Sequence, residues 1–310
     1  MSGQVNGRHR GERSVVPEVE FESYYGRQIL KTPTWEPLDI AGYLFLGGLA
    51  GASGVLAEGA AWTGRPALER VARLVSVAGV GLGTVALVHD LGRPSRFVNM
   101  LRVLKPTSPM SVGSFILAPF AGLSTVALAS NLTGRLPLLG RAAGVGAAVF
   151  GPPLATYTAA LISDTAVPSW HEGHKEMPFV FAGSAASAAG GLAMALAPVA
   201  ENGPARRMAA GGAALELVSS QLLTRRIGLA AEPYKTGRSG TMLKTAEGLT
   251  AAAVLASLTS RSRPVSALAG ACLVGASALT RFAIFKAGVV SAEDPKYTVV
   301  PQRERLAARS

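Results

Sequence analysis

The sequence predicts an all-α integral membrane protein with eight transmembrane helices. Eight long apolar stretches lie between residues 38 and 287, and each has roughly the 20 residues that a helix needs to cross about 30 Å of hydrocarbon. Only 16% of the 310 residues are charged, and most of this charge lies in the termini and between the apolar stretches. Helices are expected because every unpaired backbone group in lipid costs several kcal/mol.

The connectors between the apolar stretches carry glycine and proline in turn-forming pairs, as in Gly64–Pro66 and Asn202–Pro204. Glu216 interrupts the sixth stretch. A polar arm, residues 1–37, precedes the membrane domain of residues 38–287, and a polar tail, residues 288–310, follows it. The predicted spans are 38–58, 71–89, 110–130, 141–163, 178–199, 206–226, 242–260 and 265–287.

The distribution of positive charge predicts the orientation in the membrane. An even number of crossings places both termini on one side, which carries twenty Lys and Arg residues against nine on the opposite side. Arg281 lies within the last span and completes the 30. The positive-inside rule therefore predicts cytoplasmic termini in the plasma membrane, although a soluble partner that docks on the basic side would also explain part of the excess. Juxtamembrane positive charge accounts for the net charge of +11 without nucleic-acid binding.

Several cofactor classes are disfavoured by the side chains that the sequence contains. Cys272 is the single cysteine, which excludes iron–sulfur clusters, disulfides and cysteine-based zinc sites within this chain. The segment Trp170–His174 lacks the spacing of a His-Glu-x-x-His zinc motif. His89 is the only histidine in a predicted span, so paired haem ligands are missing. We therefore predict no catalytic residue, no metal site and no cofactor bound by the chain itself.

Polar side chains crowd into the membrane leaflet on the side of the termini. Ionisable groups within a span are costly unless they pair or line a wet cavity, so they indicate a functional site. Purely structural explanations stay open for some of these residues. Asp39 could stabilise the positive end of a helix dipole, and Asp90 could form an ion pair with Arg93 or Arg96. The tyrosines could lie at the membrane interface, where aromatic residues are common. Glu216 lies near mid-membrane and Glu58 near the opposite face. The crowded residues are Asp39, Tyr43, His89, Asp90, Tyr157, Glu247 and Arg281.

Three stretches of the chain together resemble one known family of membrane proteins. They are residues 35–54, which read WEPLDIAGYLFLGGLAGASG, residues 90–113, and residues 154–170. In this order they resemble the first helix, the connection between the second and third helices, and the fourth helix with its exit in the NrfD/PsrC family. Members of that family are the membrane subunits of polysulfide reductase-like molybdoenzyme complexes. The resemblance extends over roughly residues 24–290.

The resemblance implies an eight-helix fold of two four-helix bundles without a cofactor of its own. It also implies a quinone pocket in the leaflet that faces an iron–sulfur subunit, lined by a tyrosine of the fourth helix and by polar residues at the start of the first. Tyr157 matches that tyrosine, and Trp35, Glu36 and Asp39, with Tyr43 one turn further, lie at the start of the first helix. The resemblance implies a periplasmic position for this face, whereas the charge count predicts a cytoplasmic one.

The resulting hypothesis is a membrane anchor and quinone-interacting subunit of a multi-subunit oxidoreductase of the polysulfide reductase or formate dehydrogenase type. Electrons are expected to pass between a ferredoxin-like iron–sulfur subunit, which serves a molybdopterin catalytic subunit, and menaquinone or ubiquinone as substrate. A secondary transporter or permease, or a passive membrane scaffold, is the alternative. The expected proton relay is His89 with Asp39 or Asp90, extended by Glu216 and Glu247. The basic residues expected to dock the partner are Arg93, Arg96, Arg102 and Lys105.

Overall fold

The computed structural model describes residues 29–90 and 96–308, and every regular element within these ranges is a helix. Eight of the described helices have at least 20 residues, and a 3₁₀ turn at Gly228–Ala231 precedes one of the short ones. In chain order the helices are α1 (Pro37–Trp62), α2 (Pro66–Asp90), α3 (Arg96–Met100), α4 (Pro109–Thr133), α5 (Pro137–Ser163), α6 (Pro168–Glu172), α7 (Met177–Leu196), α8 (Gly203–Arg226), α9 (Glu232–Lys235), α10 (Gly237–Thr259), α11 (Arg263–Glu293) and α12 (Lys296–Ala307).

Each of the eight predicted spans falls on one of the eight long helices. Six of these helices, α1, α2, α4, α5, α7 and α11, are long and apolar enough to cross a membrane. The chain is thus an all-helical, multi-pass membrane protein. Helices α8 and α10 do not reach that hydropathy, because charged residues such as Glu216 and Glu247 lie within them. For these two helices a crossing stays a prediction.

Prolines at the helix starts explain where the long helices begin. Pro37, Pro66, Pro109 and Pro137 each occupy the first position of a helix. Proline suits this position because its fixed φ is already helical and its missing N–H has no partner to lose there. Helix α4 ends at Gly134, whose φ of 67° is the left-handed conformation that glycine adopts without a steric penalty. These signals explain why α2 begins at Pro66 and not at residue 71, where its apolar run starts.

Most of the predicted polar tail is helical. Helix α11 continues to Glu293, beyond the predicted end at residue 287, and α12 occupies most of the segment that follows. Lys296 fixes α12 to α9, because its Nζ lies 3.0 Å from Glu232 Oε1. The tail therefore forms a helical cap on the side of the termini.

Helices that are consecutive along the chain pack as antiparallel pairs. The pairs are α1 with α2, α4 with α5, α7 with α8, and α10 with α11. Helices α1 and α7 hold the pairs together, because each contacts the other and both contact α5 and α11. Residues such as Leu82, Val85 and Leu222 point outward from the surrounding helices, as side chains that face lipid do.

Glycine permits the closest approach between α1 and α5. A Cβ atom added at Gly51 would collide with the backbone oxygen of Gly151, and one added at Gly151 would collide with that of Gly51. Small residues at such crossings let helix backbones touch, which favours association where lipid offers no hydrophobic driving force.

Charged residues at the end opposite the termini form ion pairs with one another. Arg73 is buried, and its Nη2 lies 3.3 Å from Glu58 Oε2 while its Nε lies 2.8 Å from Glu69 Oε1. Asn131 Nδ2 donates to Glu69 Oε1 at 3.1 Å. Glu58 therefore belongs to a structural network that joins α1, α2 and α4, because a buried charge of this kind requires a partner.

Replacement of Gly51 by alanine tests the α1–α5 contact. We expect Gly51→Ala to destabilise the protein by about 1–3 kcal/mol, the usual cost of overpacking, and to lower its thermal unfolding midpoint in detergent. Gly59→Ala, on the same helix with open space around the added methyl, is the matched control and leaves the midpoint unchanged or raises it through the better helix propensity of alanine. An equal unfolding midpoint in the two variants would show that the Gly51–Gly151 contact does not contribute to stability.

Candidate functional site

The start of α1 and the end of α2 bring four polar residues together. The short turn at residues 63–65 makes these helices antiparallel, so the first turn of α1 lies beside the last turn of α2. Asp39 Oδ2 lies 2.6 Å from His89 Nδ1, and Glu36 N donates to Asp90 Oδ1 at 3.2 Å. The His89 side chain is 78% exposed and that of Asp39 only 15%. The pair thus connects a largely covered carboxylate with the surface of the protein.

An aromatic pair lies one helical turn below these polar residues. Tyr43 follows Asp39 by one turn of α1, and its ring contacts that of Tyr157 edge-on, with centroids 6.5 Å apart and an interplanar angle of 64°. Leu87 and Leu117 belong to the same apolar cluster, which lies between α1, α2, α4 and α5. Gly113 of α4 leaves room for the Tyr157 ring, because an added Cβ would overlap that ring.

The Tyr43 hydroxyl is the most informative atom of this cluster. Tyr43 is only 1% exposed, and its hydroxyl has no hydrogen-bond partner among the described residues. A buried hydroxyl without a partner costs about 1–3 kcal/mol. Such a group requires an explanation, and a bound ligand or water that accepts its hydrogen bond is one.

Trp35 lies in a second group, around α6. Its ring stacks on that of Trp170 with centroids 5.9 Å apart. Trp170 is fully buried, and its Nε1 donates to the backbone oxygen of Ile284 at 2.8 Å. A cleft of about 420 Å³ lies between residues 30–35 and 165–170 and is lined by both tryptophans. The structure thus places Trp35 against Trp170, while Glu36, Asp39 and Tyr43 lie along the α1–α2 contact.

Glu216 lies in a separate buried cluster between α7, α8 and α11. Thr280 Oγ1 donates to Glu216 Oε1 at 2.8 Å, whereas Glu216 Oε2 has no partner among the described residues. Ser184 and Ser277 hydrogen-bond each other nearby at 2.8 Å. No contact of Glu216 within the described residues connects it to Asp39 or His89.

Arg281 adds a buried cation to the cluster of Glu216 and Thr280. It is fully buried, donates from Nη2 to the Phe181 backbone oxygen at 2.8 Å, and stacks on the Phe181 ring at 3.6 Å. Its Nε and Nη1 lack partners in the described part of the chain. Arg281 is one of the crowded polar residues of the sequence, but no specific role was predicted for it. Glu247 of α10 is half-buried and close enough to interact electrostatically with Glu216.

The predicted docking residues can be placed in part. Arg102 and Lys105 are exposed in the segment between α3 and α4. Arg96 begins α3, but its side chain lies outside the described part, and Arg93 lies outside the described residues altogether. The predicted ion pair of Asp90 with Arg93 or Arg96 is therefore not tested, and the described partner of Asp90 is Glu36 N.

A metal centre finds no support in the described ranges. Within residues 29–90 and 96–308, no group of three or more His, Cys, Asp and Glu side chains is arranged to hold a metal ion. His171 and His174 lie with ring centroids 6.1 Å apart, and each hydrogen-bonds a backbone oxygen through Nδ1.

Comparison with known proteins identifies the family of this membrane chain. The family model described as "Polysulphide reductase, NrfD" matches residues 31–211, which is more than half of the chain. The chain belongs to the NrfD family. Among curated proteins, no match was found. Members of the NrfD family are membrane subunits that assemble with redox enzyme subunits, so this chain is a membrane subunit of a redox complex.

The NrfD match includes the polar end of α1 and α2 and the whole of α5. Asp39, Tyr43, His89 and Tyr157 thus lie within the matched residues. Glu216 and the helices α10 and α11 lie beyond them. The family assignment therefore includes the region from α1 to α5 but does not include Glu216 or Arg281.

Proposed function

We propose that this NrfD-family chain anchors a multi-subunit oxidoreductase in the membrane and binds the quinone with which that enzyme exchanges electrons. The quinone head group binds beside Tyr43 and Tyr157, below the Asp39–His89 pair. The single observation that carries the proposal is the buried, unpartnered hydroxyl of Tyr43. Tyr43 belongs to an apolar cluster with Leu87, Leu117 and Phe120, and a quinone carbonyl is an acceptor that would pair with its hydroxyl.

The two tyrosines serve to bind and orient the quinone. Each phenol donates a hydrogen bond to a carbonyl oxygen and so favours the negative charge that develops there during reduction. Leu87, Leu117 and Phe120 are apolar neighbours that exclude water from the ring. Trp35 and Glu36 lie at the start of α1, on the side from which a partner subunit approaches.

The Asp39–His89 pair supplies and removes protons. Conversion of a quinone into its quinol takes two electrons and two protons, so the site needs a proton path to water. Asp39 is largely covered and His89 largely exposed, and the 2.6 Å bond between them supports transfer between the pocket and the surface. Asp90, held by Glu36 N, lies beside this path.

Electrons reach the pocket from a partner, because one cysteine cannot hold an iron–sulfur cluster. The partners are a ferredoxin-like iron–sulfur subunit and, through it, a molybdopterin catalytic subunit. They dock on the end of the bundle that carries the termini, where Arg102 and Lys105 are exposed. Positive charge at this surface complements an acidic partner and accelerates its association.

The buried cluster of Glu216, Thr280 and Arg281 extends proton movement toward mid-membrane. Glu216 Oε2 and two guanidinium nitrogens of Arg281 have no protein partner in the described ranges, and water molecules are the groups that satisfy such atoms. Glu247 provides the next titratable group toward the terminal side. This cluster continues the proton path, while the quinone site itself depends on α1, α2 and α5.

All eight long helices cross the membrane and form two four-helix bundles, one of α1, α2, α4 and α5 and the other of α7, α8, α10 and α11. The outward face of α8 supports its crossing. Arg207 and Arg225 are 18 positions apart, about 27 Å along a helix, and the exposed residues between them are apolar apart from Gln221. Glu216 lowers the hydropathy of α8 but points into the protein, where it is only 4% exposed.

Removal of the tyrosine hydroxyls tests the quinone site. In the assembled complex we expect Tyr43→Phe and Tyr157→Phe each to lower quinone-linked turnover about tenfold or more, since a lost hydrogen bond to developing charge costs roughly 1.5–3 kcal/mol. We expect Asp39→Asn to slow turnover as well, because it interrupts the proton path. Turnover with a soluble artificial acceptor stays unchanged, and Tyr297→Phe, outside the membrane helices, is the control. Unaltered quinone-linked turnover in Tyr43→Phe, Tyr157→Phe and Asp39→Asn would show that the quinone binds elsewhere.

Cysteine labelling tests the crossings of α8 and α10 and the sidedness of the chain. The experiment uses a Cys272→Ser background with one cysteine introduced at a time, at Ala200, Thr236 or Ser262. These positions flank the two helices. Each variant is treated with a membrane-impermeant maleimide in right-side-out and in inverted vesicles. We expect Thr236→Cys to react from the cytoplasmic side and the other two variants from the opposite side, because all three positions lie outside the membrane helices. Labelling of all three from one side would overturn the eight-helix topology, and exchanged sides would overturn cytoplasmic termini.

A further inference from the structure

A cleft opens between α8 and α10 at the end opposite the termini. It has a volume of about 550 Å³ and lies beside the first turns of α8 and the last turn of α10. The cleft exists because α8 packs mainly against α7, and α10 mainly against α11. Arg206, Arg207 and Arg261 line it, together with apolar residues such as Ala210 and Leu258.

The three arginines of the cleft differ in what they contact. Arg206 is a structural bridge, since Nη1 donates to the backbone oxygens of Ser257 and Ser260 at 2.5 and 3.0 Å and Nη2 donates to Ser266 Oγ at 3.0 Å. Arg207 and Arg261 are exposed and take part in no hydrogen bond or ion pair with the described residues. No acidic residue lines the cleft. Its mouth therefore carries positive charge that the described protein does not neutralise.

The position of these charges along the helices matches a membrane interface. Arg207 lies in the second turn of α8, and Arg261 follows the end of α10 by two residues. Toward mid-membrane the exposed residues become apolar, with Ala214 and Leu215 on α8 and Leu255 on α10. The cleft is thus cationic where lipid phosphates lie and apolar where acyl chains lie.

We propose that this cleft binds an anionic phospholipid, with its phosphate between Arg207 and Arg261 and an acyl chain along the groove between α8 and α10. A guanidinium group holds a phosphate through paired hydrogen bonds, and basic pockets between membrane helices suit headgroups of net negative charge. Arg206 keeps the two helix ends in register around the lipid. The proposal rests on the part of the proposed function that places α8 and α10 across the bilayer, and it is independent of quinone binding.

Native mass spectrometry of the full chain in detergent tests this site with three probes: phosphatidylglycerol, phosphatidylcholine and inorganic phosphate. We expect phosphatidylglycerol to bind at least tenfold more tightly than phosphatidylcholine, and the double variant Arg207→Gln/Arg261→Gln to lose this preference. The matched control is Arg70→Gln/Arg141→Gln, because these exposed arginines lie at the same end of the bundle outside the cleft. Thermal unfolding in detergent checks that both double variants fold.

The outcomes separate the proposals. Equal loss of binding in both double variants, or an unchanged preference in Arg207→Gln/Arg261→Gln, would overturn the lipid site. Displacement of phosphatidylglycerol by inorganic phosphate at similar concentration would assign the cleft to a free anion and would also overturn it. We expect quinone-linked turnover in lipid-replete membranes to stay normal in Arg207→Gln/Arg261→Gln. Failure of the lipid site would therefore not contradict the quinone site. Loss of turnover in Tyr43→Phe would likewise not contradict the lipid site.

Discussion

The hydrogen bond between Asp39 and His89 connects a largely covered carboxylate to the surface of this protein. It joins the start of α1 to the end of α2 at 2.6 Å, and it lies one turn above the Tyr43–Tyr157 contact. In a bundle whose outer surface faces hydrocarbon, polar groups have to find partners inside the protein or in a cavity. The Asp39–His89 pair provides such a partner for one carboxylate. The Tyr43 hydroxyl below it has no partner among the described residues, and we propose that a ligand provides one.

The same constraint explains how the polar residues are distributed over the bundle. Arg73 and Glu58 neutralise each other at one end and need no ligand. Arg281 and Glu216 lie deep in the protein with nitrogen and oxygen atoms left without partners, which favours internal water. Arg207 and Arg261 lie at the surface of a cleft with no acidic neighbour. The first group is structural, and we propose that the second conducts protons and that the third binds lipid.

The helices and part of the site could be predicted from the sequence because they depend on local signals. Apolar runs and prolines located the eight long helices, and Asp39 and His89 were expected near each other because antiparallel neighbours share an end. A role of Trp35 in quinone binding stays a prediction. Its stack on Trp170 could not be predicted, because a contact between residues so distant in the sequence has no local signal. The crossing of α8 stays a prediction, because the hydropathy of this helix averages buried polar residues such as Glu216 and Ser219 with exposed apolar residues such as Leu222.

The position of the quinone head group is the central claim, and photolabelling measures it most directly. A photoreactive quinone analogue is bound to the assembled complex, activated by light, and located by mass spectrometry of peptides, with unlabelled quinone as competitor. The account predicts label that the competitor removes on the first turns of α1 around Tyr43 and on the segment of α5 around Tyr157. Competable label confined to α8 and α10, or to a partner subunit, would contradict it.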